Sequence, residues 1–265
     1  MITSTKNPLV REITVLQDKS RERNRQNTIV VEGRKEISLA VHAGVRFHKV
    51  VYQPEIISPE AAAELCGASA GCAEFIPVSE AVFAKISYRE STGGVVVLAE
   101  KPDKQLESLT VGLESVFIIL EAVEKPGNLG AICRVADAAR AAGIIVCDPR
   151  TDVYNPNAIR ASLGCVFTVD VVSSDFDAVQ AWLRENGIKS FAAELTAAEF
   201  YHETDLGGRI ALVFGTEATG LTDKWIQAAN KRIKIPMGGV IDSLNVNTSV
   251  AILVFEAMRK RGFQS

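Results

Sequence analysis

Five polar side chains sit where apolar runs meet loops: Asn128 and Arg134 after VFIILEAV, Glu217 after ALVFG, and Ser243 and Asn245 ahead of VAILVF. Amides, a carboxylate, a hydroxyl and a guanidinium together suit the gripping of a polar ligand and the steadying of charge that develops on an oxygen. In EKPGNLGAICRVADAARAAG, from Glu124 to Gly143, Asn128 is a candidate N-cap and Gly143 a candidate helix stop. Gly130 and Arg134 are four apart and share a face, so the guanidinium can lean over the bare glycine toward the helix start, where a phosphate or carboxylate would sit. Pairing of Arg134 with Asp137 is the competing reading.

Glu217 lies between Gly215 and Gly220 in ALVFGTEATGLTDKW, after a buried strand, and open α/β sheets bind ligands at that carboxyl end. In SLNVNTS, from Ser243 to Ser249, two amides and three hydroxyls exceed what one helix start needs. If no ligand is involved, Ser243 caps the helix and Asn245 steadies the turn before it. A dinucleotide fingerprint is disfavoured, because Gly127-x-x-Gly130 lacks the G-x-G-x-x-G order despite Asp148 further on.

These groups need a scaffold, and the chain supplies one in two parts. The first hundred residues alternate short helical and strand patterns, among them PLVREITVLQDK, TIVVEG, RKEISLAVHAG and FHKVVYQ. They read as a small α/β/α domain over 1–100, followed by a polar linker over 101–114. From 115 to 265, the runs VFIILEAV, GIIVCD, VFTVDVV, SFAAEL, ALVFG and RIKIPM are short and nearly all apolar, with helical patterns between most of them. That pattern predicts a parallel sheet covered on both faces.

Composition narrows the function classes. No stretch reaches the roughly 20 apolar residues of a membrane span, and MITSTKNPLVRE lacks the order of a signal peptide, so a cytoplasmic protein is expected. Five cysteines without C-x-x-C pairing, and the scattered His42, His48 and His202, disfavour zinc, a disulfide framework and a histidine triad. No metal is expected. The net charge of −3 hides an asymmetry: residues 1–50 hold 10 of the 29 Lys/Arg and 5 of the 32 Asp/Glu. Arg21, Arg23, Arg25 and Arg34 make this segment a candidate anion-binding face, with a solvated helix surface as the alternative.

Taken in order, N-x-G-x-x-x-R, F-G-T-E-x-x-G-L and I-P-M-x-G-x-x-D-S-L-N-V-N resemble the three motifs of the SpoU (TrmH-like) family of RNA ribose 2′-O-methyltransferases in the SPOUT class. VVEGRKEISLAVHAG and TGGVVVLAE resemble that family's N-terminal RNA substrate-binding domain. The resemblance implies a deep trefoil knot in the second domain, a homodimer formed through it, and S-adenosylmethionine as cofactor, held at Gly215, Ile235 and Leu244. It implies catalytic positions at Asn128, Arg134, Glu217, Ser243 and Asn245, and an RNA-side segment at Arg160, Ser162 and Gly164.

The implied reaction is attack of a ribose 2′-oxygen on a methyl carbon already activated by a sulfonium, which asks the protein mainly for position. Arg134 is better suited to anchor phosphate and oxyanion charge than to accept a proton, because a guanidinium stays protonated. Ribosomal RNA is favoured over transfer RNA because of the extra domain. Asn247 stands where the family usually has a small hydroxyl residue. The alternatives are a knotted RNA-binding module without catalysis and a nucleotide-cofactor oxidoreductase.

Overall fold

A computed structural model describes residues 1–88 and 93–263, which leaves Thr92 of the TGGVVVLAE motif outside the described residues. In chain order the first elements are α1 (Pro8–Asp18), α2 (Ser20–Gln26), β1 (Thr28–Glu32), α3 (Arg34–His42), β2 (Phe47–Tyr52) and α4 (Pro59–Cys66). After them come β3 (Glu74–Pro77), α5 (Glu80–Ile86), β4 (Val95–Glu100), β5 (Val116–Glu121), α6 (Pro126–Ala138) and β6 (Gly143–Cys147). Next are α7 (Pro156–Ala161), α8 (Cys165–Thr168), β7 (Val171–Ser174), α9 (Phe176–Glu185) and β8 (Lys189–Ala193). The chain finishes with β9 (Glu199–Phe200), β10 (Ile210–Phe214), α10 (Asp223–Ala228), β11 (Lys231–Lys234) and α11 (Val246–Lys260).

Two compact units form, one from Met1–Asp103 with Tyr154–Thr168, the other from Lys104–Val153 with Val169–Ser265. The first contains a four-stranded sheet in the order β1-β4-β2-β3, antiparallel except between β2 and β3. Its core joins Leu9, Ile13 and Leu16 of α1 to Val30, Val51 and Leu98 of the sheet, the spacing of an amphipathic helix laid on alternating strand residues.

Residues 154–168 depart from the expected boundary by folding with this unit. Ala158, Ile159, Val166 and Phe167 are all buried, and α7 packs on β1 and α8 on α3. Gly164 has no alternative residue: its φ is +88°, and a Cβ there would stand 3.0 Å from the Glu36 backbone and 3.1 Å from Leu39. Of the run VFTVDVV, read above as one strand, Val166–Thr168 is helical and the strand begins at Val171.

The second unit contains seven strands in the order β7-β6-β5-β10-β8-β11-β9, every neighbouring pair parallel. The parallel sheet expected from the apolar runs is therefore present. All six residues of β5 and all five of β10 are buried, as strands covered on both faces require. Phe117, Trp182 and Trp225 centre one core cluster, which also takes in Leu106 and Leu109 from the stretch expected to be a linker. Parallel strands put all their carboxyl ends on one side. The segments that follow β5, β10 and β11, which carry the three motifs (the first of them at the start of α6), therefore emerge together.

Candidate functional site

The loops converge on one carboxylate. Glu217 Oε1 accepts from Asn128 Nδ2 at 2.9 Å and from Asn245 Nδ2 at 2.5 Å, while Oε2 receives the Lys125 ammonium. Those donors, Lys125 first and then Asn128, hold the Glu217 carboxyl below its ordinary range. Residues 28 and 89 positions apart in the chain thus meet at one oxygen.

Asn128 does not cap α6. The N-cap is Lys125 with Pro126 at the first helical position, so Asn128 falls in the first turn and its side chain is free to turn toward Glu217. Nor does Gly143 end this helix. It stops at Ala138, Arg140 takes the left-handed conformation (φ +49°), and Gly143 opens β6. A Cβ at Gly143 would stand 2.9 Å from Leu109 and 3.1 Å from the Asp170 carbonyl, so the glycine serves close packing. Gly130 is buried in α6, while Arg134 one turn later is exposed and makes no hydrogen bond or ion pair among the described residues. The competing Asp137 pair does not form.

At the third motif Asn245, rather than Ser243, caps α11: its Oδ1 accepts from Asn247 N at 3.0 Å while its Nδ2 reaches Glu217. One amide therefore starts the helix and holds the carboxylate. Ser243 is exposed beside Asp242, and Asn247 has a buried Oδ1 without a hydrogen-bond partner among the described residues.

A cavity of about 560 Å³ opens beside this cluster at the ends of β8, β10 and β11. Gly215, Ile235 and Leu244 line it, as do Glu217 and Ser243, whereas Asn128, Arg134 and Asn245 do not. The volume lies within the range of cofactor pockets, roughly 300–1,000 Å³. Gly215 cannot be replaced without breaking the wall, because a Cβ would fall 2.0 Å from the Gly220 carbonyl carbon. Thr216 and Gly220 exchange backbone hydrogen bonds of 3.1 and 3.0 Å that close this loop. The donor set is largely backbone and small side chains, which fits a nucleoside cofactor bound by main-chain groups.

Two supporting residues carried no motif signal. Glu121, buried at the end of β5, accepts from Thr222 N at 2.8 Å and Thr222 Oγ1 at 2.6 Å, pinning the exit of the Glu217 loop. Lys125 is the other. An acidic residue at the carboxyl end of a buried strand was the available clue to Glu121; for Lys125, at the N-cap of α6 four residues beyond that strand, no local signal pointed to the role.

The arginines expected on an RNA-binding face divide. Arg21 and Arg34 are exposed, and Arg25 is exposed but paired with Glu22 at 2.8 Å. Arg23 is not available to a phosphate: it is 1% exposed and donates Nη1 to the carbonyls of Leu16 and Gln17 at 2.5 and 3.1 Å. A cation satisfies the last carbonyls of α1, where the helix end is negative. Arg160 pairs with buried Glu32 at 3.4 Å and lies 3.7 Å over the Tyr88 ring. Ser162 is buried and donates to the Ile159 carbonyl at 2.7 Å, so with Gly164 it serves packing. Among the described residues no cluster of acidic, histidine or cysteine side chains could hold a metal ion, and no helix is long and apolar enough to cross a membrane.

Comparison with known proteins agrees with this geometry. Residues 7–97 match the model of an MRM3-like substrate binding domain. Bacillus subtilis 23S rRNA (guanosine(2553)-2′-O)-methyltransferase RlmP is 26% identical over 254 residues, 96% of this chain and 97% of its own. A 23S rRNA (adenosine(1067)-2′-O)-methyltransferase from Streptomyces laurentii is 28% identical, with 98% of this chain and 96% of the relative covered. Among solved structures, an AdoMet-bound rRNA methyltransferase from Sinorhizobium meliloti superposes with a TM-score of 0.88 at 30% identity over 97% of both chains. An RNA 2′-O ribose methyltransferase does so with a TM-score of 0.83 at 34% identity over 98% of both. The family model for the SpoU rRNA methylase family matches residues 115–255, from the start of β5 into α11 and across all three motifs, and the chain belongs to that family.

Proposed function

We propose that this chain is an RNA methyltransferase that moves a methyl group from S-adenosylmethionine to a ribose 2′-hydroxyl of ribosomal RNA. One observation carries the reading: Glu217 lines the cavity that contains Gly215, Ile235 and Leu244, and the same carboxylate holds the amides of Asn128 and Asn245. Cofactor site and polar cluster therefore share a wall. The named relatives modify guanosine and adenosine alike, so the constant feature of their substrates is the ribose hydroxyl.

Gly215, Ile235 and Leu244 are the residues that would hold the cofactor, which supplies a methyl carbon activated by its sulfonium. Donation to Glu217 fixes how both amides are turned, leaving Asn128 Oδ1 as an acceptor for an incoming hydroxyl. Ser243 offers a further hydroxyl at the cavity rim. Arg134 stays protonated and is free of protein partners, so it can meet the neighbouring phosphate and the charge that grows on the attacking oxygen.

The first unit recruits the RNA, with Arg21, Arg25 and Arg34 as its phosphate contacts. The second carries a trefoil knot and pairs with a second copy in the cytoplasm. Membership of the family supports the knot, and the exposed apolar side chains Val240, Ile241 and Phe255 support a homodimer.

Single-turnover assays with labelled S-adenosylmethionine and ribosomal RNA test the reaction, since a 2′-O-methyl group protects its neighbouring linkage from alkali. Wild-type protein should place label in alkali-resistant dinucleotides. Arg134→Ala should lose at least about a hundredfold in rate, with S-adenosylhomocysteine affinity unchanged by calorimetry. A near-normal rate for Arg134→Ala removes the arginine from the site, and no protected label with wild-type protein returns the chain to a binding module.

A further inference from the structure

We infer that Lys125 is a positioning residue of the transfer site, clamping one oxygen of Glu217 so that the other holds the amides of Asn128 and Asn245 together. The inference rests on the methyl-transfer reading and adds a group that lies outside the three motifs. Its first support is a conflict with helix chemistry. Lys125 is the N-cap of α6, its carbonyl accepting from Asn128 N at 3.1 Å and Leu129 N at 3.3 Å, yet its side chain makes no cap bond. Serine, threonine, aspartate or asparagine would cap better, and a cation is unfavourable at the positive end of a helix. A residue that opposes its own helix marks a functional demand.

The demand is visible at Glu217. Its two oxygens face three side-chain donors, and the division is strict: the ammonium takes Oε2, both amides take Oε1. Among the described residues Lys125 is the one cation paired with this carboxylate. Without it, Oε2 becomes open to either amide, and the cluster gains alternative arrangements in which Asn128 Oδ1 turns away from the hydroxyl. Its side chain is 69% exposed, so the pair adds little to stability and its loss should appear in rate.

Lys125→Met and Lys125→Arg in the full chain provide the test. At saturating RNA and cofactor, Lys125→Met should slow single-turnover transfer by about tenfold, with melting temperature and cofactor affinity unchanged. Lys125→Arg should restore most of the rate. Because Lys125 acts through Glu217, adding Lys125→Met to Glu217→Gln should cost nothing further. Carbon-13 titration of the Glu217 carboxyl, which requires no activity, should show its low value rising toward the ordinary range in Lys125→Met alone. An equal loss in the Glu217→Gln background, a higher KM for RNA with kcat unchanged, or an unmoved Glu217 titration would each overturn the inference. A wild-type protein inactive on ribosomal RNA would instead sink the proposed function, while the titration still judged Lys125.

Discussion

Glu32, the last residue of β1 in the first unit, and Glu217, in the loop just past β10 in the second, are carboxylates pushed in opposite directions. Glu32 is 8% exposed, accepts from Tyr88 N at 2.9 Å and faces Arg160 at 3.4 Å. Burial outweighs those partners and holds its carboxyl above the ordinary range, with neighbouring Glu36 adding to the rise. Glu217 keeps contact with water and gathers three side-chain donors, so its carboxyl lies low. The outcome depends on donors gained against water lost. A buried charge with one distant cation ties elements together at a cost, whereas a hydrated charge with close donors can organise a site.

Removing each charge should separate the roles, and the largest effect belongs to Glu217. Glu217→Gln keeps the shape but loses the anion that orders two amides, so transfer should fall about a hundredfold with little change in melting temperature. Glu32→Gln should leave saturated transfer nearly unchanged. Comparable rate losses in single-turnover assays of the two variants would erase the distinction.

The pH dependence should carry opposite signs. Glu217, lowered on folding, contributes stability above the ordinary glutamate range that is lost as pH falls through its lowered value. For Glu32, raised on folding, the contribution is present below the ordinary range and lost as pH rises through the raised value. Hydrogen exchange of the β1 amides should therefore show greater protection in mild acid than at neutrality, a trend that Glu32→Gln flattens. Arg160→Ala, which strands the Glu32 charge, should destabilise the first unit at neutral pH by about 2 kcal/mol, less than for a fully enclosed pair. Denaturant melts followed at Trp-free first-unit probes would measure it.

The smallest effect concerns salt. Arg21→Gln with Arg25→Gln should flatten the slope of log RNA affinity against log salt by about 1.5 units if both meet phosphates. Arg23→Gln should leave the slope alone and lower stability instead, because that arginine closes the end of α1. Filter binding across a salt series distinguishes the two, and an unchanged slope for the double variant would make this segment a solvated surface.

Much of the scaffold was legible because its signals are local. The β-branched runs became strands, and their alternation with helices pointed to the parallel order found in the second sheet. Where local signals compete, the reading slipped. Asn128 looked like a cap, but Pro126 started the helix earlier; Val166–Thr168 looked like strand, but Leu163 and Gly164 turn the chain with positive φ and a short helix follows.

The sequence by itself determined the two-part division, the strand-rich second domain, the three motifs and the family they belong to. Tertiary structure alone decided that 154–168 folds with the first unit, that Arg23 is buried, that Asn245 both caps α11 and holds Glu217, and that Lys125 joins them. The physical reason is range. Periodicity and capping act over a few residues, whereas the partners of Glu217 lie 28, 89 and 92 positions away and meet only once the sheet has brought the ends of β5, β10 and β11 together.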